Sequence, residues 1–154
     1  MEDGAAEQTA IAVELWDTVQ RVTRTFDRVL AEHGGTRPVW FILLALGAGD
    51  PATQRRLAAT VGIREATLTH HLRAMEDRGL VTRHRDPANR RVQRIEVTPE
   101  GLRLFAELKA AAVDFDARLR HALGAREDVT AFRGALRRLA GTVPDDGPTP
   151  VPFE

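Results

Sequence analysis

Apolar residues recur at spacings of three and four through the first part of the chain. Ile11, Leu15, Val19, Val22, Phe26, Val29 and Leu30 share one stripe, which predicts a long amphipathic helix from about Glu7 to Glu32. His33-Gly34-Gly35 stops it. Pro38 suits the first turn of a second helix, Val39 to about Gly47, which is apolar nearly all round and should be central. Gly47 to Ala52 reads as a turn. Thr53 has the chemistry of an N-cap for a short helix over Gln54–Thr60, with Leu57, Ala58 and Val61 inward. Gly62 breaks it. The next helix runs from about Arg64 to Arg78, and Gly79 suits the left-handed residue that ends a helix.

Beyond Gly79 the period changes from helical to alternating. Leu80–Arg85 and Val92–Val97 read as antiparallel strands, joined by the turn residues Asp86-Pro87-Ala88-Asn89. On the second strand Gln93, Ile95 and Val97 share one face, and Val92, Arg94, Glu96 and Thr98 the other. Thr98-Pro99 then opens a helix to about Leu123, with Leu104, Leu108, Ala112, Phe115 and Leu119 on one side. At about 1.5 Å per residue it is roughly 36 Å long. A last helix, from about Arg126 to Ala140, carries Val129, Phe132, Leu136 and Leu139.

These elements predict a mainly α fold with a small β-wing. From Thr53 to Gly101 the order is two helices, then two strands around an arginine-rich turn. That is a winged helix-turn-helix, a module that sets one helix in a DNA major groove and a β-loop beside it. The first and last helices are too long and too apolar for so small a lobe to cover. A two-fold dimer through those helices would satisfy them and would suit palindromic DNA. The expected division is dimerisation helices at 7–34 and 99–141, a DNA-binding lobe at 36–98, and disordered tails at 1–6 and 142–154.

Charge supports this division. The chain has 22 basic and 22 acidic residues and no net charge. Residues 1–50 hold 4 Arg against 8 acids, whereas residues 51–98 hold 10 Arg against 5. The positive field is therefore concentrated on the suspected module, and acidic flanks conceal it in the total. The absence of cysteine excludes disulfides, thiolate chemistry and cysteine-ligated zinc. His70 and His71 diverge by about 100° on a helix, and His33, His84 and His121 are scattered, so no metal or other cofactor is expected. No nucleophile triad, phosphate loop or spaced carboxylate pair marks an enzyme. With no apolar run near the roughly 20 residues of a membrane span, and no signal-like N-terminus, a cytoplasmic protein is expected.

Helical geometry sorts the candidate contacts. Leu68, Leu72 and Met75 face the core, so Ala66, His70, Arg73 and Asp77 face away. The pool for base and phosphate contacts is Arg64, Glu65, Ala66, Thr67, Thr69, His70 and Arg73. Glu65 also suits simple stabilisation of the helix N-terminus. Gln54 and Arg55 could fix phosphates from the preceding helix. On the wing, Arg85, Arg90 and Arg91 are candidates, Arg91 first, because arginine suits a narrow minor groove. Arg83 and Arg94 could either bind phosphates or brace the strands.

The chain resembles the MarR family of bacterial transcription factors. The matching residues are Gly35-Thr36-Arg37-Pro38-Val39-Trp40, Thr53-Gln54 with Leu57-Ala58, and Thr67-Leu68-Thr69. They continue through Met75-Glu76, Gly79-Leu80-Val81, Arg83, Asp86-Pro87, Arg90-Arg91, Val97-Thr98 and Gly101. The wing departs from the family pattern, since Asn89 stands where an aspartate usually braces the wing-tip arginine. The resemblance implies a homodimeric regulator, most often a repressor, that is released from DNA by a small aromatic or phenolic anion. Trp16, Phe26, Trp40, Phe41 and His71 would then line the effector pocket, with Arg21 and Arg24 nearby. Core packing is the plainer role of each aromatic. A ligand-independent regulator, or a winged-helix protein-interaction module without DNA binding, stays open beside this reading.

Overall fold

The computed structural model describes residues 10–47, 52–90 and 92–142. The elements are α1 (Ile11–Glu32), α2 (Arg37–Gly47), β1 (Ala52–Thr53), α3 (Gln54–Val61), α4 (Glu65–Asp77), β2 (Val81–Arg85), β3 (Gln93–Val97), α5 (Pro99–Leu123) and α6 (Arg126–Ala140). The arrangement is a winged helix-turn-helix flanked by long helices, and each sequence-derived element lies within a few residues of its expected bounds. Residues 7–9, the proposed tail at 1–6, and the tail beyond Thr142 lie outside the described residues. Thr142 itself stands in a turn after α6, its hydroxyl donating to Leu139 O at 2.7 Å.

Local chemistry explains the boundaries. Thr53 Oγ1 accepts from the Arg56 N–H at 3.3 Å and caps α3. Gly62 follows it at φ +79°, a left-handed value open to glycine at little cost. Gly79 does the same after α4, at φ +69°. Thr98 Oγ1 accepts from the Gly101 N–H at 3.0 Å and donates to Gly79 O at 2.5 Å. One hydroxyl thus caps α5 and ties it to the end of the α4 turn.

The expected turn at Gly47–Ala52 lies, over residues 48–51, outside the described residues, and its end needs correction. Ala52 and Thr53 form β1, which pairs antiparallel with β3 in the register Ala52↔Ile95 and Thr53↔Arg94. β2 pairs with β3 from Val81↔Val97 to Arg85↔Gln93, so the sheet order is β1-β3-β2. A two-residue strand has no periodicity, so its hydrogen bonds are set by the tertiary fold alone.

The core lies in the lobe. Leu30, Trp40, Ile42, Leu43, Leu57, Leu68, Leu72, Met75, Leu80, Val81, Ile95 and Leu108 are essentially removed from water. α5 closes the core from one side, with Phe105 stacked on Trp40 at 5.6 Å between ring centroids. Further along, Phe115 stacks on Phe26 of α1 at 5.2 Å. The outer ends of the long helices are different. Ile11 is 69% exposed and Trp16 64% exposed, and Phe132, Leu136 and Leu139 also face solvent. Every residue of α6 stays at least partly exposed within the single chain. Among the described residues no helix is long and apolar enough to cross a membrane.

Candidate nucleic-acid interface

α4 presents the face its sequence predicts. Leu68, Leu72 and Met75 are buried, while Arg64, Glu65, Ala66, Thr67, His70 and Arg73 are exposed. Arg64 occupies the N-cap, so these side chains cluster on the outward face and at the positive end of the helix. Arg55 is exposed on α3, and Arg85 and Arg90 are exposed on the wing. Among the described residues, Arg55, Arg64, Arg73, Arg85 and Arg90 take part in no ion pair, so their full charge is available to a polyanion. Arg91 lies outside the described residues.

Two of the candidates occupy each other. Gln54 Nε2 donates to Thr69 Oγ1 at 2.5 Å, and that hydroxyl donates to Glu65 O at 2.8 Å. The single proton of Thr69 is therefore spent on its own helix. What remains is acceptor capacity, which a phosphate cannot use but a base amino group can. Gln54 thus fixes the spacing of α3 and α4.

Arg83 and Arg94 are braces. Arg83 of β2 holds Glu76 of α4, with Nη2–Oε2 at 2.5 Å and Nε–Oε2 at 2.7 Å, and fastens the wing to the back of α4. Arg94 of β3 holds Asp86 at 2.5 Å. Its guanidinium hydrogen bond and the Ala88 N–H keep the Asp86 carboxyl below the usual carboxylate range. The sequence offered a signal for that site, since aspartate before proline favours a side-chain-closed turn. The pairings of Gln54 and Arg83 cross between elements and have no comparable local sign.

His70 is exposed and His71 half-buried, as their 100° separation on the helix implies. Their rings are 5.7 Å apart, edge to face. Burial, aided by the neighbouring His70, lowers the His71 pKa. Among the described residues no cluster of metal-ligating side chains occurs.

The proposed pocket residues are dispersed in the single chain. Trp40 belongs to the core of the lobe, Phe26 packs on Phe115, and Phe41 packs against the core edge. Trp16 stands in solvent, and Arg21 and Arg24 are exposed on α1. Two clefts among the described residues bear on this. One, of about 470 Å³, lies among His33, Arg78, Glu100, Arg103 and Glu107, and the other, of about 220 Å³, lies between α1 and α5. Neither is lined by any of the five pocket candidates.

Comparison with known proteins places this geometry. Residues 36–92 match the model of the MarR family. The organic hydroperoxide resistance transcriptional regulator of Bacillus subtilis is 29% identical over 133 residues, covering 84% of this chain and 86% of that one. The solved transcriptional repressor CouR, bound to a 23-mer DNA duplex, is 30% identical, with a TM-score of 0.76 over 85% of this chain and 92% of that one. The MepR–DNA complex of S. aureus, at 19% identity, shares the fold with a TM-score of 0.79 over 88% of this chain and all of that one. The family match spans the helix-turn-helix and most of the wing, the likeness to CouR spans the flanking helices too, and the chain belongs to the MarR family of transcription regulators.

Proposed function

We propose that the chain is a homodimeric, cytoplasmic repressor that binds a palindromic operator in double-stranded DNA. The observation that carries this reading is the exposed face of α4, with Arg73 on it and Arg64 at its N-cap, together with exposed Arg55 on α3 and exposed Arg85 and Arg90 on the wing. Ala66, His70 and Arg73 supply base contacts in the major groove, and the other arginines grip phosphates. The exposed apolar faces of α1 and α6 supply the dimer contact. CouR and MepR, whose solved complexes contain DNA, support the DNA partner. A small aromatic or phenolic anion releases the operator by changing the separation of the two α4 helices from one DNA turn, about 34 Å.

Electrophoretic shift and footprinting on the DNA upstream of the gene test the reading. The expected result is a protected palindrome with half-sites one turn apart, and loss of the complex with an aromatic acid. Absent or salt-independent binding overturns it in favour of a protein-interaction module. One observation favours a second reading within DNA binding. Trp40 is packed on Phe105 inside the core rather than around a cavity, which suits a regulator that needs no ligand. In a thermal-shift screen with aromatic acids, no stabilisation and no change in DNA affinity would select it.

A further inference from the structure

Asp86 has a place in the wing that DNA contact does not explain. Among the described residues it is the one charged side chain in the buried set, 8% exposed. It follows β2 directly, where the chain turns. Its Oδ1 accepts from the N–H groups of Ala88 at 2.7 Å and Asn89 at 3.3 Å, the pattern of an aspartate closing a turn over its own backbone. Its Oδ2 accepts from Arg94 Nε at 2.5 Å. The backbone closes the same loop, with Asp86 N–H to Val92 O at 2.9 Å and Val92 N–H to Asn89 O at 2.8 Å.

Arg94 is a firm anchor for this carboxylate. It lies on the central strand, opposite His84 of β2 and Thr53 of β1. The turn is thereby tied to the middle of the sheet rather than to its edge. An acid in a wing that meets phosphates is electrostatically unfavourable, and a carboxylate this buried is costly unless paired and hydrogen-bonded. Two backbone N–H donors and one guanidinium meet both conditions. They cancel the charge and leave the geometry.

We propose that Asp86, acting through Arg94, is the positioning residue of the wing, holding the turn that presents Arg90 to the DNA backbone. This rests on the DNA-binding reading above. Asp86 itself touches no DNA. Asn89, standing where the family places an aspartate, is uncharged, and the carboxylate that closes this turn is Asp86 at its base.

The test uses the full chain and a duplex of the DNA upstream of its gene, with sheared genomic DNA alongside. Affinity is read by fluorescence anisotropy from about 50 to about 200 mM salt, on protein shown by circular dichroism to be folded. Asp86→Asn keeps the shape of the side chain and removes its charge. It should weaken binding about 10-fold and lower the log–log salt slope by about one, the loss of one phosphate contact. Arg94→Gln should do the same. In the Asp86→Asn background, Arg90→Ala should cost little more, because its contact is already lost; a role confined to folding would leave the two effects additive. Wild-type affinity and slope in folded Asp86→Asn or Arg94→Gln, or full additivity with Arg90→Ala, overturns the proposal while DNA binding stands. If the wild type binds neither duplex, DNA binding itself is wrong, and this inference goes with it.

Discussion

Gly101 is the most exposed point of failure in the junction between the wing and α5. A Cβ built there would lie 2.1 Å from the backbone oxygen of Leu80 and 2.7 Å from Val97 Cγ1. Ordinary carbon–oxygen contact needs more than 3 Å, so about 1 Å of overlap falls on a backbone atom that cannot rotate away. The same Leu80 oxygen accepts from the Thr98 N–H at 3.1 Å, and Thr98 caps α5. Gly101→Ala must therefore push α5 off the sheet or break that junction. Overpacking of this kind costs about 1 to 3 kcal/mol, and loss of the cap adds about 1. A total near 3 kcal/mol lowers Tm by roughly 6 to 12 °C in a chain of this size. Gly79 is the internal control. It sits at φ +69° with nothing within 4 Å of an added Cβ, so Gly79→Ala meets only backbone strain, about 1 kcal/mol. Thermal unfolding followed by circular dichroism should rank the two, Gly101→Ala well below Gly79→Ala. Equal losses, or a Gly101→Ala shift under about 2 °C, would refute the argument from contact.

Arg73→Ala should weaken operator binding by about 1 to 3 kcal/mol, whereas Arg90→Ala should weaken all sequences alike and reduce the salt slope by about one; anisotropy titrations on operator and random duplexes separate these outcomes. Leu136→Asp places a charge on the exposed apolar face of α6 and should convert the dimer to a folded monomer, read by sedimentation velocity; an unchanged dimer would move the interface elsewhere. His71 has a lowered pKa in the folded chain, with burial the larger cause. The unfolded chain therefore binds the proton more readily between the folded pKa and the ordinary imidazole value near 6.5. Stability should fall as pH drops through about 6.5, and His71→Gln should flatten that decline in Tm measured from about pH 8 to about pH 5; an unaltered slope would assign it to other groups.

Much of this was legible because the physics is local. The stripe from Ile11 to Leu30, the cap at Thr53, the left-handed glycines at 62 and 79 and the Thr98-Pro99 start each declare themselves within a turn or two of chain. The outward face of α4 follows from three buried residues, Leu68, Leu72 and Met75. β1 was not legible, since two residues carry no period and their partner lies some forty positions away. The same is true of Arg83 with Glu76 and of Gln54 with Thr69, whose partners are chosen by the packing of separate elements. Trp40 shows the limit from the other side. Core packing is the plainer reading of its position and a pocket the sharper one, and the Phe105 ring against it places it in the core.

The apolar faces left open on α1 and α6 reach beyond symmetry. In the proposed dimer a second copy would cover Ile11, Trp16, Phe132 and Leu136, which the single chain leaves in water. Assembly of the proposed dimer would then add to folding stability by mass action, and melting temperature would climb with protein concentration. A dimeric repressor of the proposed kind would count its own copies. At low abundance it would lose subunits and DNA affinity together, so occupancy of the operator would fall more steeply than dilution alone dictates.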